Sequence, residues 1–346
     1  MKKYYVTANT AEGLINHVSS NLQNIKQIII LKHPSNSLKT GLIQQVIDSF
    51  QPNYEIEVLL SSLSSKYLDG IIIRDKSLAV ICDQVATTDI KTFNAIEIDC
   101  SLFIKDKPVL NKELEKKITY FTEKAYEKFK TGLTVHDDLE TIFINEMDFN
   151  RANELAKELI QRIMENQSER NRVSTTYHRL FGTNTADGVV NEVPHIIEQM
   201  KKVFYIKGRA GTGKSTFMRK IVEACEDYGF DLELYHCSFD PGSLDMVLVP
   251  ELEFCMFDST DPHEFFPTRE GEEIIDLYEE AVKPGTDEKY EEQISKVNNH
   301  YKSFMKQGVK ELKKAGEYRE KYEKQFSFTE EEKNAIFEFI NKQVIQ

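Results

Sequence analysis

The chain has 346 residues, with 44 Lys and Arg against 57 Asp and Glu and a formal net charge of −13. At about 150 residues per domain this length accommodates two domains with cores of their own, and 40% hydrophobic with 29% charged residues excludes a disordered chain. The acidic balance argues against sequence-independent duplex binding, which depends on Lys and Arg neutralising phosphates, so nucleic acid is not an expected partner.

In chain order, Asn9 with Glu12 three residues on is close to a capping box and predicts a first helix after Asn9. A continuously apolar strand follows at 27–32, of the kind buried in a mainly parallel sheet, then a loop and a helix. Strand-like pieces recur at 54–59 and within 71–80, and 110–166 is a charged, helix-like tail. The polar stretch 166–176 reads as a connection. Then the order starts again. Asn184 with Asp187 predicts a helix, 202–207 a strand, and 214–228 a helix with Phe217, Ile221, Cys225 and Tyr228 on one stripe and Gly229 as its stop. Residues 231–236 predict a strand, 246–257 two strands around Pro250-Glu251, and 271–345 a second charged tail.

The second half is a copy of the first. Thr7-Ala8-Asn9-Thr10-Ala11-Glu12-Gly13 returns as Gly182-Thr183-Asn184-Thr185-Ala186-Asp187-Gly188, a shift of 175 residues. Residues 27–32 match 202–207, 54–59 match 230–235, Leu68-Asp69 matches Leu244-Asp245, and 79–83 match 254–258 with Asp83 on Asp258. Burial alone does not select shared Asn, Gly, Lys and Asp. The expected architecture is α/β: two tandem homologous domains, 1–166 and 176–346, each a mainly parallel sheet with flanking helices and a charged helical tail.

Gly208-Arg209-Ala210-Gly211-Thr212-Gly213-Lys214-Ser215 satisfies G-x-x-x-x-G-K-[ST], the P-loop pattern, between an apolar strand and an amphipathic helix. Glycines let backbone N–H groups approach phosphates, and the helix start favours an anion. In this reading residues 208–213 with Lys214, Ser215 and Thr216 bind the phosphates. Lys214 reaches the β- and γ-phosphates, and Ser215 ligates Mg²⁺. Asp258, closing the strand 254–257, is the second metal candidate, in the Walker B place; the competing reading is a cap on its own turn. Ser259 follows it, where many of the P-loop ATPases that this stretch resembles have a Glu that orients water, so rapid hydrolysis is not expected. Asp240, in the loop His236-Cys237-Ser238-Phe239-Asp240-Pro241-Gly242, is a candidate base and His236 a proton shuttle, although Asp-Pro-Gly is also turn chemistry. For Asn184 a helix cap is favoured over a ligand or domain contact.

These residues resemble the P-loop NTPase superfamily. The Asn-Thr-x-x-Gly segment, the P-loop, His236-Cys237-Ser238 and a strand ending in Asp258 together look like a little-characterised, tandem-duplicated family of bacterial P-loop ATPases. The resemblance implies a nucleoside triphosphatase fold using ATP and Mg²⁺, and no particular physiological substrate. ATP is preferred over GTP because the guanine-reading N-K-x-D is missing: Asn111-Lys112-Glu113-Leu114 ends in Leu. In the first half Lys39 and Thr40 align with Lys214 and Ser215, but His33, Asn36 and Leu38 replace the glycines. That half is expected to be a degenerate site; Lys39 or Arg74 is a candidate to reach the neighbouring phosphates, with a solvent-exposed Lys as the favoured alternative.

Three functions follow as expectations: slow Mg²⁺-dependent ATP hydrolysis that rearranges the halves, γ-phosphoryl transfer to a small molecule with Asp240 as base, or a nucleotide-gated module without turnover. A small molecule or protein remains open as a second partner, and oligomeric state is not indicated. Five cysteines, 82, 100, 225, 237 and 255, have no C-x-x-C spacing and an odd count, as expected in a reducing cytosol without disulfides or zinc. No signal-peptide core is present and the longest aliphatic run, Ile28-Ile29-Ile30-Leu31, cannot span a bilayer, so a cytoplasmic protein without membrane contact is expected.

Overall fold

A computed structural model describes residues 1–92 and 95–344. The first half opens with β1 (Lys2–Tyr5), a hairpin of β2 (Thr7–Thr10) and β3 (Gly13–Asn16), a single turn α1 (Val18–Asn21), the apolar β4 (Gln27–Lys32) and helix α2 (Asn36–Phe50). Strands β5 (Glu57–Leu60), β6 (Leu68–Ile73) and β7 (Leu78–Cys82), helix α3 (Thr88–Thr92) and β8 (Ala95–Asp99) follow, then the long helices α4 (Lys112–Ile144) and α5 (Phe149–Met164).

The second half repeats this with β9 (Thr176–Arg179), the hairpin β10 (Gly182–Thr185) and β11 (Gly188–Asn191), α6 (Val193–Ile197), β12 (Lys202–Lys207) and α7 (Lys214–Asp227). Then come β13 (Leu232–His236), β14 (Leu244–Val249), β15 (Phe254–Asp258) and β16 (Glu272–Asp276). Two short helices, α8 (Leu277–Ala281) and α9 (Thr286–Lys289), lead to α10 (Glu291–Glu323) and α11 (Glu330–Val344).

The two six-stranded sheets have one topology. The first runs β1-β5-β6-β7-β4-β8 and the second β9-β13-β14-β15-β12-β16. In each, three neighbour pairs are parallel and two antiparallel, the latter being the β5-β6-β7 and β13-β14-β15 meanders. The sheets are therefore mixed but mostly parallel, flanked by helices. The predicted strands at 27–32 and 202–207 form with those bounds, and Gly229, at φ +75, ends α7 where a left-handed residue is needed. The edge strands β8 and β16 escaped the sequence reading. Glu272 and Glu273 break the apolar pattern of β16, which is tolerable where one side of the strand has no partner.

The predicted helices after Asn9 and Asn184 do not form. Both residues lie in hairpin strands, and their side chains cross between the halves instead: Asn9 Nδ2 donates to the Asn184 carbonyl at 2.8 Å and Asn184 Nδ2 to the Asn9 carbonyl at 3.2 Å. Tyr5 and Leu180 exchange both main-chain hydrogen bonds at 2.9 Å. Residues 175 apart thus meet each other reciprocally, as in the self-complementary interface of a twofold dimer. The inner faces of both sheets share one core, with Val6, Ile28, Ile30 and Ile81 against Val203, Tyr205, Met246 and Phe257.

Each half also lends its last helix to the other. Helices α4 and α10 run antiparallel across the molecule: Tyr322 Oη donates to Glu115 at one end, and Leu139 and Phe143 pack with Ile294 and Val297 at the other. Helix α5 then lies on the outer face of the second sheet, its Leu159 and Ile163 against Phe217 and Ile221 of α7. Helix α11 returns to the first, burying Ile336 and Ile340 against Leu42, Val46 and Ile29. A fully buried Ile contributes about 1.5–3 kcal/mol, so a few residues hold each exchanged helix. Among the described residues no helix is long and apolar enough to cross a membrane.

Three histidines close the seam. His17 and His236 stack at 4.7 Å between ring centroids, and His178 Nδ1 lies 2.8 Å from His236 Nε2. Burial and the neighbouring rings push His17 and His236 down to about 4. Burial lowers His178 as well, against the pull of Glu226, and Arg219 adds to the depression at His236. Between that value and the ordinary 6.5 an unfolded chain holds protons that the folded one does not, so this cluster stabilises fully above about pH 7 and loses its contribution as pH falls toward 4. Asp245, described below, titrates in the opposite sense. The check is therefore site-resolved: NMR should show His17 and His236 still neutral at about pH 5.5, and titration at the ordinary histidine value would contradict it.

Candidate functional site

Residues 208–213 span the gap between β12 and α7, at the carboxyl edge of the second sheet, where open α/β sheets bind ligands. Gly213, at φ +74, is the N-cap of α7 and turns the chain so that Lys214 and Ser215 open the helix. Lys214 Nζ donates to the Arg209 carbonyl at 2.8 Å and lies 3.5 Å from Asp258 Oδ2. Thr212 is buried, and its hydroxyl donates to the same carbonyl at 2.9 Å. Ser215 Oγ accepts from the Leu244 N–H at 2.9 Å, which leaves it a second lone pair. Gly208 is buried, Ala210 packs with Leu139 and Phe143, and Thr216 is exposed.

Several expected residues are engaged otherwise. Arg209 pairs with Asp287 at 2.8 Å and stacks on Tyr278. Asp240 accepts from the Gly242 N–H at 3.2 Å, which is the turn role, while its charge still acts on His136, Glu140 and Asp245. Asp258 accepts from Thr260 Oγ1 at 2.6 Å, as its capping role requires, and keeps Lys214 beside its other oxygen. His236 belongs to the histidine seam. Of the two candidates to reach across from the first half, Lys39 is not the solvent-exposed lysine expected but is buried on Asp83 and Gln84 at 2.6 Å each, and Arg74 is bidentate on Glu57. Both are engaged elsewhere: Lys39 inside its own half, and Arg74 at the seam, where it also stacks on the Tyr177 ring of the second half.

What the first half contributes is α4, which no local pattern could place there. Its backbone at Glu140 presses on Gly211, where φ is +75 and an added Cβ would collide with the Glu140 main chain. His136, depressed by burial, and Glu140, raised by burial and by Asp137 and Asp240, stand 3.7 Å apart on the same helix. Gly211→Ala should strain the loop and force α4 outward at a cost of about 1–3 kcal/mol. A melting temperature equal to that of the unaltered chain would show that the contact is loose.

Asp245 is the other residue without a sequence signal beyond its repeat partner Asp69. Met246 pairs with Phe257, and the neighbouring Asp245, at a bulge of β14, is close enough to Asp258 to feel its charge. Burial and then the Asp258 charge push Asp245 up to about 7. Its counterpart Asp69 accepts from Thr7 Oγ1 at 2.8 Å and Gln84 Nε2 at 3.3 Å. In the second half Gly182 stands at the place of Thr7, and Thr260, which takes the place of Gln84, is turned to Asp258.

The strand registers revise one alignment. Leu31 pairs with Cys82 and Ile206 with Asp258. Leu31 and Ile206 are equivalent, so Cys82 occupies the Asp258 place and Asp83 matches Ser259. The Asp83 and Ser259 N–H groups accordingly bond to the Leu31 and Ile206 carbonyls at 3.0 and 2.9 Å. The first-half loop is also rebuilt. Only His33, Pro34 and Ser35 separate β4 from α2, which starts at Asn36, one turn earlier than α7, and the buried Leu38 lies inside that extra turn.

No protein-family model, no curated protein and no solved structure matches this chain.

Proposed function

We propose that the second half binds ATP with Mg²⁺ at residues 208–216 and hydrolyses it slowly, and that α4 carries the change to the other half. The observation that supports this most is the strand–loop–helix arrangement that sets Lys214 at a helix start, 3.5 Å from Asp258, with the Ser215 hydroxyl one residue on. Lys214 would exchange Asp258 and the Arg209 carbonyl for phosphate oxygens. Loop N–H groups and the α7 dipole would hold the remaining charge. Ser215 and Asp258 supply hard oxygen donors of the kind Mg²⁺ takes, and they are the residues that would hold it. Bound there, the cation would neutralise charge on the transferring phosphoryl group.

Slow turnover fits the residue after Asp258. Ser259 donates its hydroxyl to the Phe265 carbonyl at 2.8 Å and accepts the Phe265 N–H at 2.9 Å, so it folds the following loop and positions no water. Coupling fits the contact of Gly211 with α4. A reducing compartment such as the cytoplasm suits the free cysteines.

The test is native mass spectrometry of the purified chain for retained nucleotide, followed by ADP release with and without a metabolite pool. ADP formed without any acceptor supports the ATPase. ADP formed only with the pool replaces it by a small-molecule kinase. Binding with a changed protease pattern and no ADP replaces it by a nucleotide-gated module.

A further inference from the structure

The first half has its own anion at the matching helix start, and the chain supplies it. Glu323, the last residue of α10, comes from the opposite half. Its Oε1 accepts from the Asn36 N–H at 2.7 Å, and its Oε2 accepts from Ser35 Oγ at 2.7 Å and the Ser37 N–H at 3.3 Å. These donors open α2, a helix of 15 residues whose dipole favours negative charge at this end. Immediately beyond Glu323, Phe326 and Phe328 set their ring edges against His33, 5.4 and 5.5 Å between centroids, and α11 then docks on the first sheet. On the other side of the molecule α4 has the same 33-residue length but ends on the uncharged Ile144, and its Glu140 meets the 208–215 loop through its main chain at Gly211.

We propose that Glu323 is a built-in ligand: its carboxylate takes, on the first half, the place that a phosphate group takes on the second, and this permanent occupation clamps the exchanged end of the chain to the first half. The likeness to a phosphate rests on the nucleotide reading of residues 208–216; the clamp does not. The extra helical turn holding Leu38 leaves room at α2 for one small anion and not for a triphosphate in a loop. One half is thus always charged, while the other waits for a ligand from solution.

The experiment uses the full-length chain with Glu323→Ala and Glu323→Gln, read by hydrogen exchange over 324–344 and by melting temperature. Glu323→Ala should exchange at least about ten-fold faster there and melt earlier. Inorganic phosphate and acetate should each reverse this saturably, as mass action on a specific site requires. Glu323→Gln, which keeps the shape and loses the charge, should fall between. Phosphate also stabilises proteins by exclusion from their surface, so the wild-type shift at equal salt is subtracted.

Unchanged exchange in Glu323→Ala overturns the clamp. Faster exchange without saturable rescue overturns the anion site, because packing then explains the loss. Rescue by acetate alone overturns the likeness to phosphate. ATP titration of the unaltered chain separates this from the nucleotide reading: one equivalent, lost in Lys214→Ala, agrees with both. None removes the nucleotide reading while the clamp result stands, and two equivalents show that the first half is open.

Discussion

Lys214→Ala should weaken ATP binding by about 10- to 100-fold, while Lys39→Ala should leave it within about three-fold. The first figure follows from the loss of a charge-assisted contact to phosphate, worth about 1.5–3 kcal/mol, at about 1.4 kcal/mol per tenfold in affinity. Lys214 is the cation that this site keeps beside Asp258 at 3.5 Å, with Asp245 also feeling its charge. Lys39 has the same repeat position and the opposite circumstances. It is buried in the first half on Asp83 and Gln84, behind a helix start already occupied by Glu323. Its removal should therefore show in stability, since it strands Asp83, and not in binding. Isothermal titration with ATP and Mg²⁺ on both variants decides the matter. Equal losses would mean that both halves take nucleotide, and no loss from Lys214→Ala would end the nucleotide reading.

Arg179→Leu should cost about 3–5 kcal/mol of stability and lower the melting temperature by about 10 °C, the range for removing one partner from a buried ionic cluster. Arg179 is 1% exposed at the seam. It pairs with Glu233 at 2.7 Å and Glu57 at 3.3 Å, donates to Asn21 Oδ1 at 2.9 Å, and lies over the Tyr4 ring. Glu57 and Glu233 are repeat partners, so one guanidinium neutralises one carboxylate from each half. Burial pushes Glu57 up, but Arg179 and Arg74 outweigh it and hold it at about 2. Its contribution is present above the ordinary 4.5 and is lost as pH falls from there toward 2. Arg74 and Lys2 stay with one carboxylate each, so the loss should stop short of unfolding the chain. Adding Glu57→Gln and Glu233→Gln to Arg179→Leu should recover most of it. A single variant that melts within about 1 °C of the wild type would show that the cluster is neutral on balance.

The local elements were legible because their signals are local. An apolar run of strand length gave β4 and β12, and a stripe with a glycine stop gave α7. The glycine-rich loop could be read for the same reason, since backbone freedom at Gly213 and the position of Lys214 are properties of eight consecutive residues. Asn9 and Asn184 misled because an Asn followed by an acid three residues on is equally good in a hairpin, where the amide is free to cross to another chain segment. The alignment of Asp83 with Asp258 misled because identity of residue outweighed a one-residue offset that only the pairing of β4 with β7 exposes. Asp245 carried no signal of its own, because burial beside another acid depends on which strands become neighbours.

The duplication, the α/β order of each half and the loss of glycines at 33–38 are written in the residues, since composition and spacing are conserved through any packing. Where the helices of each half finally lie is not. Helices α5 and α11 are amphipathic, and their apolar stripes would suit either sheet. It took the seam at Tyr5, Leu180 and Arg179 to bring the halves close enough for α5 and α11 to change sides. Burial and charge pairing act between segments more than 100 residues apart, so the approach of α4 to Gly211 and of Glu323 to α2 exists only in the folded molecule.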